Sequence, residues 1–448
     1  MKVLIISNVY YPTVSPRAIR WSHIAEQWAR NGHDVDVITS GKPGLAVMEQ
    51  VNGVAVHRAG SAMSEQWKER FKESANSLSL GGAGNAAGNS IQGGSNPRKW
   101  CVALLSWIRR LTWKKLWWPD SSCLWYFPAR KKAAVLCARR SYDALVTVSL
   151  PFTGHLIGLY VKKRFAACRW VADSGDPFCF LDKPDANNRR LYDKKNYSYE
   201  KKIFREADAV TVTTAETSQR YAAIFPDYRS KLHVIPPLLA LSKEREATNP
   251  FFPVNKAIRL VYVGRLYRDN RNPDFLLELF QEILAHKFDG KLELHILGSV
   301  NDCADIVDAY KLKYNNNLYL YGSVAHRAAL QAMTEADILV NIGNANSYQL
   351  PSKVVEYART GKPIVNLAIH KKDSSASFFA NYPLYLNLLR ERNGITPGQI
   401  EALADFIEKR RTVPKDMLSD FLESFRADQV ALRYETILSG RLLEVDNS

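Results

Sequence analysis

The strongest constraint on the fold is an alternation of short apolar segments with longer amphipathic ones. The chain opens with an apolar segment at 2–7, continues through a loop and a helical pattern over about 17–30, and returns to an apolar segment at 34–39. Two strands separated by a helix predict a parallel pair, because parallel strands need a crossover connection. The alternation therefore predicts an α/β domain with a doubly wound sheet.

The alternation continues in two series along the chain. We expect two doubly wound domains that face each other across a cleft, with ligands bound at the carboxyl ends of the strands. The first series adds strands at 144–148, 169–172, 209–213 and 232–235. The second series has strands at 259–263, 292–297, 318–321, 338–342 and 364–366, and helices at 273–284, 303–314, 327–334 and 352–360.

Segments that interrupt the alternation set the domain boundaries. We predict a first Rossmann-like domain over 1–240 and a second over 255–420, joined by a linker rich in proline and polar residues. The C-terminal helix at 421–448 either stays with the second domain or crosses back to the first. The stretch at about 75–97 is rich in Gly, Asn and Ser, cannot bury a core, and predicts a mobile loop.

Charge is distributed unevenly along the chain. The 448 residues include 61 Lys and Arg against 45 Asp and Glu, a net charge of +16, and Asp120 is the only acid within 98–140. Such a basic patch predicts an anionic partner.

No apolar run approaches the roughly 18 residues of a membrane-spanning helix, and the N-terminus is typical of a buried strand rather than a signal peptide. We therefore expect a cytoplasmic protein.

The basic segment is also rich in aromatic residues. Trp100, Trp107 and Trp118 fall on one helical stripe with two leucines. Tryptophan next to cationic residues favours a membrane interface, so we predict peripheral attachment to the inner face of the cell membrane. A helix packed on its own domain is the alternative, and nucleic-acid binding is not expected because no motif accompanies the charge. The predicted lipid contacts are Trp100, Trp107, Arg109, Arg110, Lys114, Lys115 and Trp118.

Two loops of the second series have the chemistry of an anion site. After the strand at 338–342, Pro351 suits the first position of a helix, whose amino end would bind a pyrophosphate. Lys353 adds a positive charge there, and Glu356, one turn further, could accept hydrogen bonds from a ribose. After the strand at 259–263, Gly264 permits close backbone approach, and the guanidinium groups of Arg265 and Arg271 match phosphate oxygens. A solvated loop and an ordinary capped helix are the alternatives.

These motifs, in this order and spacing, resemble the retaining family-four glycosyltransferases of the GT-B fold, which use nucleotide sugars in bacterial glycan synthesis. The quoted segments are the opening strand with Arg17 and 32–37, then 264–266, 322–324, 336–338, 351–353, 356–357 and 361–363. The resemblance implies that the second domain binds the donor and the first the acceptor. The implied donor-binding residues are Gly264, Arg265, Arg271, Ser323, Val324, Tyr348, Leu350, Pro351, Ser352, Lys353 and Glu356.

The chain departs from the family pattern at two places. The first glutamate of the family's carboxylate pair falls on Tyr348, and Ser15, Pro16 and Arg17 replace the usual glycines after the first strand. These departures concern the donor sugar more than the nucleotide. On the acceptor side the resemblance implies Ser15, Arg17, Asp173 and Asp176, with His155 beyond a strand end.

The expected reaction is sugar transfer from a nucleotide sugar to a lipid-linked or membrane-proximal glycan, with His155, Arg265 and Lys353 as catalytic residues. No metal or other cofactor is expected, because Arg265, Lys353 and helix N-termini would neutralise the leaving diphosphate. The six cysteines show neither a CxxC pair nor histidine partners at metal-ligand spacing. Two alternatives remain open: a catalytically weak scaffold of the same fold, and a UDP-sugar 2-epimerase.

Overall fold

The computed structural model describes residues 1–60, 116–165, 168–181, 186–239, 250–288 and 290–441. The chain divides into two compact units. Unit 1 comprises Met1–Val212, Tyr221–His233 and Ala431–Ser448, and unit 2 comprises Thr213–Arg220 and Val234–Val430. The predicted mobile loop, and every predicted lipid contact except Trp118, lie outside the described residues.

Unit 1 is organised around an eight-stranded sheet. Its strands are β1 (Lys2–Ile6), β2 (Asp34–Ser40), β3 (Met48–Val51), β4 (Val54–Ala59), β5 (Ala144–Ser149), β6 (Arg169–Ser174), β7 (Ala209–Val212) and β8 (Leu232–Val234). They lie in the order β3-β4-β2-β1-β5-β6-β7-β8. The pairs from β4 to β7 are parallel, and β3–β4 is an antiparallel hairpin. The helices of this series are α1 (Pro16–Arg30), α2 (Tyr126–Arg139), α3 (Thr153–Arg164), α4 (Arg189–Glu206) and α5 (Ala215–Ile224), of which α5 belongs to unit 2 up to Arg220.

The first helix shows how the sequence positions this unit. The Ser15 side chain caps α1 by accepting from the amide of Ala18, Pro16 occupies its first turn, and Gly32 follows its end at φ +81°. Its inner face carries Trp21 and Trp28, both fully buried. These indoles hold the C-terminal helix, because the Trp28 Nε1 donates to the Ala431 carbonyl over 3.2 Å.

Unit 2 contains a six-stranded sheet that is parallel throughout. Its strands are β9 (Ile258–Val263), β10 (Leu292–Leu297), β11 (Leu318–Gly322), β12 (Ile338–Ile342), β13 (Ile364–Ala368) and β14 (Tyr385–Leu389), in the order β11-β10-β9-β12-β13-β14. The helices are α6 (Asp274–Ile283), α7 (Ala304–Lys313), α8 (His326–Glu335), α9 (Val354–Arg359), α10 (Ser374–Phe379), α11 (Pro397–Glu408) and α12 (Lys415–Glu423). The last helix, α13 (Ala427–Leu438), begins in unit 2 and belongs to unit 1 from Ala431 onward. Both faces of this sheet are covered by apolar clusters, as a parallel sheet requires.

The doubly wound α/β prediction is confirmed, and the differences are local. The hairpin β3–β4 was not expected, although its turn residues Asn52 (φ 48°) and Gly53 (φ 85°) are the usual pair for a two-residue hairpin loop. The predicted helix at 352–360 begins only at Val354. Short turns of other helix types lie at Cys123–Trp125, Pro226–Lys231, Leu284–Phe288 and Asn301–Cys303. Within the described ranges, no helix is both long and apolar enough to span a bilayer.

Candidate functional site

The strand order of unit 2 places two loops at one position of the sheet. The order reverses between β9 and β12, which are neighbours. In doubly wound sheets ligands bind at such a switch point, beyond the carboxyl ends of the strands. The loops that leave β9 and β12 there are 264–273 and 343–353, which contain most of the predicted donor-binding residues.

The arginines of the loop after β9 have different roles. Gly264 has no room for a side chain, because a Cβ would lie 2.6 Å from the Tyr262 hydroxyl. The Arg271 Nε donates to the Asn344 Oδ1 over 3.0 Å, so this arginine joins the two loops. Arg265 is exposed, and within the described residues its guanidinium makes no hydrogen bond or ion pair. Arg265 is therefore the cation of this loop that is free for an anionic ligand.

Two carbonyl groups of the loop after β12 accept hydrogen bonds from four side chains. Thr214 and Thr217 of unit 2 both donate to the Tyr348 carbonyl, over 2.8 and 2.9 Å. Ser374 and Asn344 donate to the Gln349 carbonyl, over 2.7 and 2.8 Å. These hydroxyl and amide donors fix the main chain directly before Leu350 and Pro351. We name 343–353, so held, the braced loop.

Tyr348 is not at the surface of the braced loop. Its side chain is only 1% exposed, and the Arg220 guanidinium lies 4.7 Å from the ring centroid. The predicted contact of the Tyr348 side chain with a donor is therefore not supported. Where the family has a carboxylate, this chain has a buried aromatic ring beneath an arginine.

Lys353 and Glu356 form an ion pair with 2.6 Å between Nζ and Oε2. Both side chains are a little over a quarter exposed, so each can reach a ligand without leaving its partner. The helix that follows has only six residues, and Lys353 is its cap. The predicted helix N-terminus at Pro351 is therefore wrong, and the positive charge here comes from the Lys353 side chain rather than from a long helix.

The other predicted donor-binding residues differ in accessibility. Ser352 and Ser323 are exposed, Leu350 and Val324 are half-buried, and Pro351 is buried. Ser323 and Val324 follow β11, which is the edge strand two positions away from β9. The sheet therefore separates them from the braced loop, and the described contacts do not join them to it.

A ladder of amide side chains lies beneath the braced loop, and the sequence reasoning missed it. Asn341, Asn366 and Asn387 stand in register on β12, β13 and β14. The Nδ2 of Asn366 donates to Asn387 over 2.8 Å and to Asp373 over 3.1 Å. Asp373 is buried, which raises its pKa, and it excludes any side chain at Gly343. The sequence signal for this ladder was an asparagine within each of three otherwise apolar strands.

In unit 1 the switch point lies between β1 and β5, and it contains an arginine–aspartate pair. The Arg17 guanidinium donates to the Leu150 carbonyl and forms an ion pair with Asp176. Both side chains are about a third exposed. This pair is the accessible part of the predicted acceptor side, next to Ser15, which serves as the cap of α1.

Asp173 occupies a different environment from Asp176. It is buried and accepts from the Trp21 indole over 3.0 Å, and from the Thr211 and Tyr434 hydroxyls, each over 2.8 Å. Tyr434 belongs to the C-terminal helix α13. The carboxylate is therefore fully used inside unit 1, so the structure assigns Asp173 a structural role and leaves Asp176 as the acceptor-side candidate.

A second buried carboxylate holds the loop that carries Asp176. Glu200 of α4 accepts from the amides of Phe178 and Cys179, over 3.0 and 2.7 Å, and from the Tyr221 hydroxyl over 2.6 Å. Burial raises the pKa of Glu200. The sequence reasoning missed this residue, because a single glutamate in a basic helix is usually solvated.

His155 is a core residue rather than a surface one. Its Nδ1 lies 2.7 Å from the Thr147 hydroxyl and its Nε2 lies 3.2 Å from the Ser174 hydroxyl. It is 1% exposed, and burial lowers its pKa to about 3. A neutral ring with both nitrogens paired cannot contact a substrate, so the predicted catalytic role of His155 is not supported.

The buried histidine should make unit 1 sensitive to acid. Since the pKa of His155 is about 3 when folded and 6.5 when free, the unfolded chain binds one more proton between these values. The free energy of unfolding should therefore fall as pH is lowered through this window, by up to about 1.4 kcal/mol per pH unit from this residue. Urea unfolding at pH 4.5–6.5 should show a shallower slope for His155→Gln. An unchanged slope would contradict the assignment, and His286→Gln, at an exposed position, is the control.

Comparison with known families decides the class of the protein. Residues 18–237 match the model of a glycosyl transferase 4-like domain, and residues 257–377 match that of the glycosyl transferases group 1. Together the two models span most of the chain. The chain is a family-four-like glycosyltransferase. The predicted enzyme class, a transferase that uses a nucleotide sugar, is thereby confirmed.

Solved structures share the fold of this glycosyltransferase over nearly the whole chain. Sucrose-phosphate synthase from Thermosynechococcus elongatus is 15% identical, with a TM-score of 0.58 and 98% of each chain covered. HepE from Anabaena, solved with UDP-glucose, is 12% identical, with a TM-score of 0.52, and covers 98% of this chain and 100% of its own. WaaG, a glycosyltransferase involved in lipopolysaccharide biosynthesis, is 12% identical, with a TM-score of 0.51 and the same coverage. These likenesses confirm the GT-B fold class, and no curated protein matches significantly by sequence.

For this glycosyltransferase the Glu356 side chain should be a nucleotide contact. Glu356→Ala should weaken nucleotide binding about ten- to a hundredfold, because a charged hydrogen-bond acceptor is worth about 1.5–3 kcal/mol. Titration calorimetry with the free nucleotide measures the change. Glu278→Ala is the matched control, since Glu278 of α6 forms a similarly exposed ion pair with Arg390, the residue after β14. Unchanged affinity in Glu356→Ala would contradict the ribose assignment.

The described parts of the glycosyltransferase contain no group of three or more His, Cys, Asp or Glu side chains that could hold a metal ion. The described cysteines, Cys123, Cys137, Cys168, Cys179 and Cys303, are free thiols.

Proposed function

We propose that unit 2 binds the nucleotide sugar and that unit 1 binds a glycan acceptor. The observation that carries this proposal is the pairing of an exposed arginine, Arg265, with the Lys353–Glu356 ion pair at the switch point of one parallel sheet. Cations suit a diphosphate and a carboxylate suits a ribose diol. In unit 1, Arg17 and Asp176 are the polar groups offered to an acceptor hydroxyl.

The proposed chemistry is transfer with retention of anomeric configuration. The bond between the anomeric carbon and the diphosphate breaks, and negative charge grows on the leaving phosphate. Arg265 and Lys353 stabilise this charge, which is why we propose that no metal is needed. The leaving phosphate takes the proton of the acceptor hydroxyl, which attacks from the same face.

We propose further that the acceptor is lipid-linked or membrane-proximal and that the enzyme binds peripherally at the inner face of the cell membrane. The basic aromatic sequence at 98–118 supports this. Trp118 itself packs on its own unit, with its Nε1 3.0 Å from Asn196 and its ring 4.6 Å from that of Tyr199. The alternative of self-packing therefore holds for Trp118, and the proposed lipid contacts are the remaining residues of this segment.

A panel of nucleotide sugars tests the function. Binding stabilises the folded protein by mass action, so the true donor should raise the melting temperature most. Turnover is then measured with that donor and a lipid-linked glycan acceptor, with and without EDTA. Transfer that survives EDTA supports the proposal. Donor binding without transfer would favour the scaffold, sugar interconversion without an acceptor would favour the epimerase, and loss of activity in EDTA with rescue by Mg²⁺ would overturn the metal-free site.

A further inference from the structure

The helix α4 presents one strongly cationic face. Asn196, Glu200, Ile203 and Phe204 form its buried face. The opposite side is exposed and follows helical spacing along the whole length of the helix. Its residues are Leu191, Lys194, Ser198, Lys201 and Arg205, with Arg190, Lys195 and Tyr197 beside them.

The charge of this face is not compensated within the helix. Asp193 forms an ion pair with Arg189 over 3.0 Å, Glu206 forms one with Arg205 over 2.7 Å, and Glu200 is buried. Arg190, Lys194 and Lys201 form no ion pair with any described residue. These three cations are therefore available to an external anion.

Apolar side chains lie among the cations. Leu191 is 60% exposed, and Leu116 is 59% exposed. The Tyr192 hydroxyl donates to the Leu116 carbonyl over 2.8 Å, which fixes Leu116 beside α4. The Lys195 Nζ lies 3.8 Å from the ring centroid of Trp118, so 116–118 and α4 form one surface.

We propose that this surface, α4 with residues 116–118, binds the headgroups of an anionic bilayer. The inference rests on the proposed peripheral attachment and adds to it a second element, separate from the segment 98–115. Lysine and arginine provide the attraction to anionic lipid. The exposed leucines favour lipid over nucleic acid, because they can enter the headgroup–acyl boundary. Leu191 and Leu116 are the side chains assigned to that boundary.

Vesicle binding by the full chain tests the proposal. The variant R190Q/K194Q/K201Q is compared with wild type on phosphatidylcholine–phosphatidylglycerol vesicles by co-sedimentation at low salt. Each cation near an anionic surface raises the membrane affinity severalfold, so the loss of three cations should weaken vesicle binding by on the order of a hundredfold. The control K256Q/K291Q/K415Q removes the same charge from exposed positions of unit 2 and should bind like wild type. Leu191→Ser should weaken the binding that remains at high salt.

The outcomes distinguish the proposed α4 surface from the more general proposal of peripheral membrane attachment. If the α4 variant binds like wild type while R109Q/R110Q/K114Q/K115Q does not, the α4 surface is wrong and peripheral attachment stands. If wild type is not retained, both are overturned, and donor turnover on a soluble acceptor still tests the transferase assignment. If K256Q/K291Q/K415Q lost as much vesicle binding as the α4 variant, the α4 proposal would be overturned. It would also be overturned if the wild-type protein bound RNA more tightly than vesicles. A melting temperature and donor affinity equal to wild type show that the variant is folded.

Discussion

Lys353→Ala should lower the turnover number by about a hundred- to a thousandfold and weaken donor binding far less. Negative charge on the leaving phosphate is greatest in the transition state, so a cation placed there is worth more during bond cleavage than in the donor complex. The loss should exceed that of Arg265→Ala, since removing Lys353 also leaves Glu356 without its partner beside a developing anion. Turnover at saturating donor and donor affinity by calorimetry are the two measurements.

The loop after β9 offers a matched control for this prediction. Arg268 is three residues from Arg265 and carries the same charge, but it forms an ion pair with Asp305 over 2.5 Å. Arg268→Ala should therefore leave turnover near that of wild type. If Lys353→Ala lowered donor affinity as much as turnover, its role would be ground-state binding only. If Arg268→Ala matched Arg265→Ala, the effect would be one of general charge.

Asp173→Ala should lower the free energy of unfolding of unit 1 by about 3–5 kcal/mol. Three donors, from Trp21, Thr211 and Tyr434, would lose a buried charged acceptor and remain unsatisfied. All ten tryptophans lie between Trp21 and Trp170, so tryptophan fluorescence in urea follows this part of the chain alone. The intrinsic probe therefore isolates the unit in which the change is made.

Asp176→Ala, three residues away, is the matched comparison. Asp176 is a third exposed and pairs with Arg17, so its loss should cost no more than about 1 kcal/mol. It should instead raise the KM for the acceptor. A stability loss for Asp173→Ala as small as that for Asp176→Ala would contradict the buried network. An unchanged acceptor KM in Asp176→Ala would contradict the acceptor-side assignment.

The fold was predictable because its signals are local. Apolar runs such as Lys2–Ile6 and Ile338–Ile342 become central strands, and Gly361, at φ +68°, ends the helix predicted before it. Two doubly wound domains follow from that rhythm alone. The hairpin turn at Asn52 and Gly53 is an equally local signal, but its first strand, β3, has only four residues and lies at the sheet edge.

The site was less predictable because accessibility depends on long-range packing. Asp173 and Asp176 lie in the same short sequence motif, but distant donors from Trp21, Thr211 and Tyr434 make the first a buried acceptor. His155 follows a strand end, as a catalytic histidine would, yet the side chains of Thr147 and Ser174 enclose it. Lys353 and Glu356 were identifiable because their spacing is that of one helical turn.

The bracing of the loop 343–353 has a thermodynamic consequence. Its carbonyls at Tyr348 and Gln349 are held by four side-chain donors, so little conformational freedom is left for a donor to remove. Preorganised segments lose less entropy on binding, and more of the contact energy is expressed as affinity. Under the proposed donor assignment, discrimination between nucleotides at this loop should rest on the fixed shape of the backbone rather than on the ordering of a loose segment.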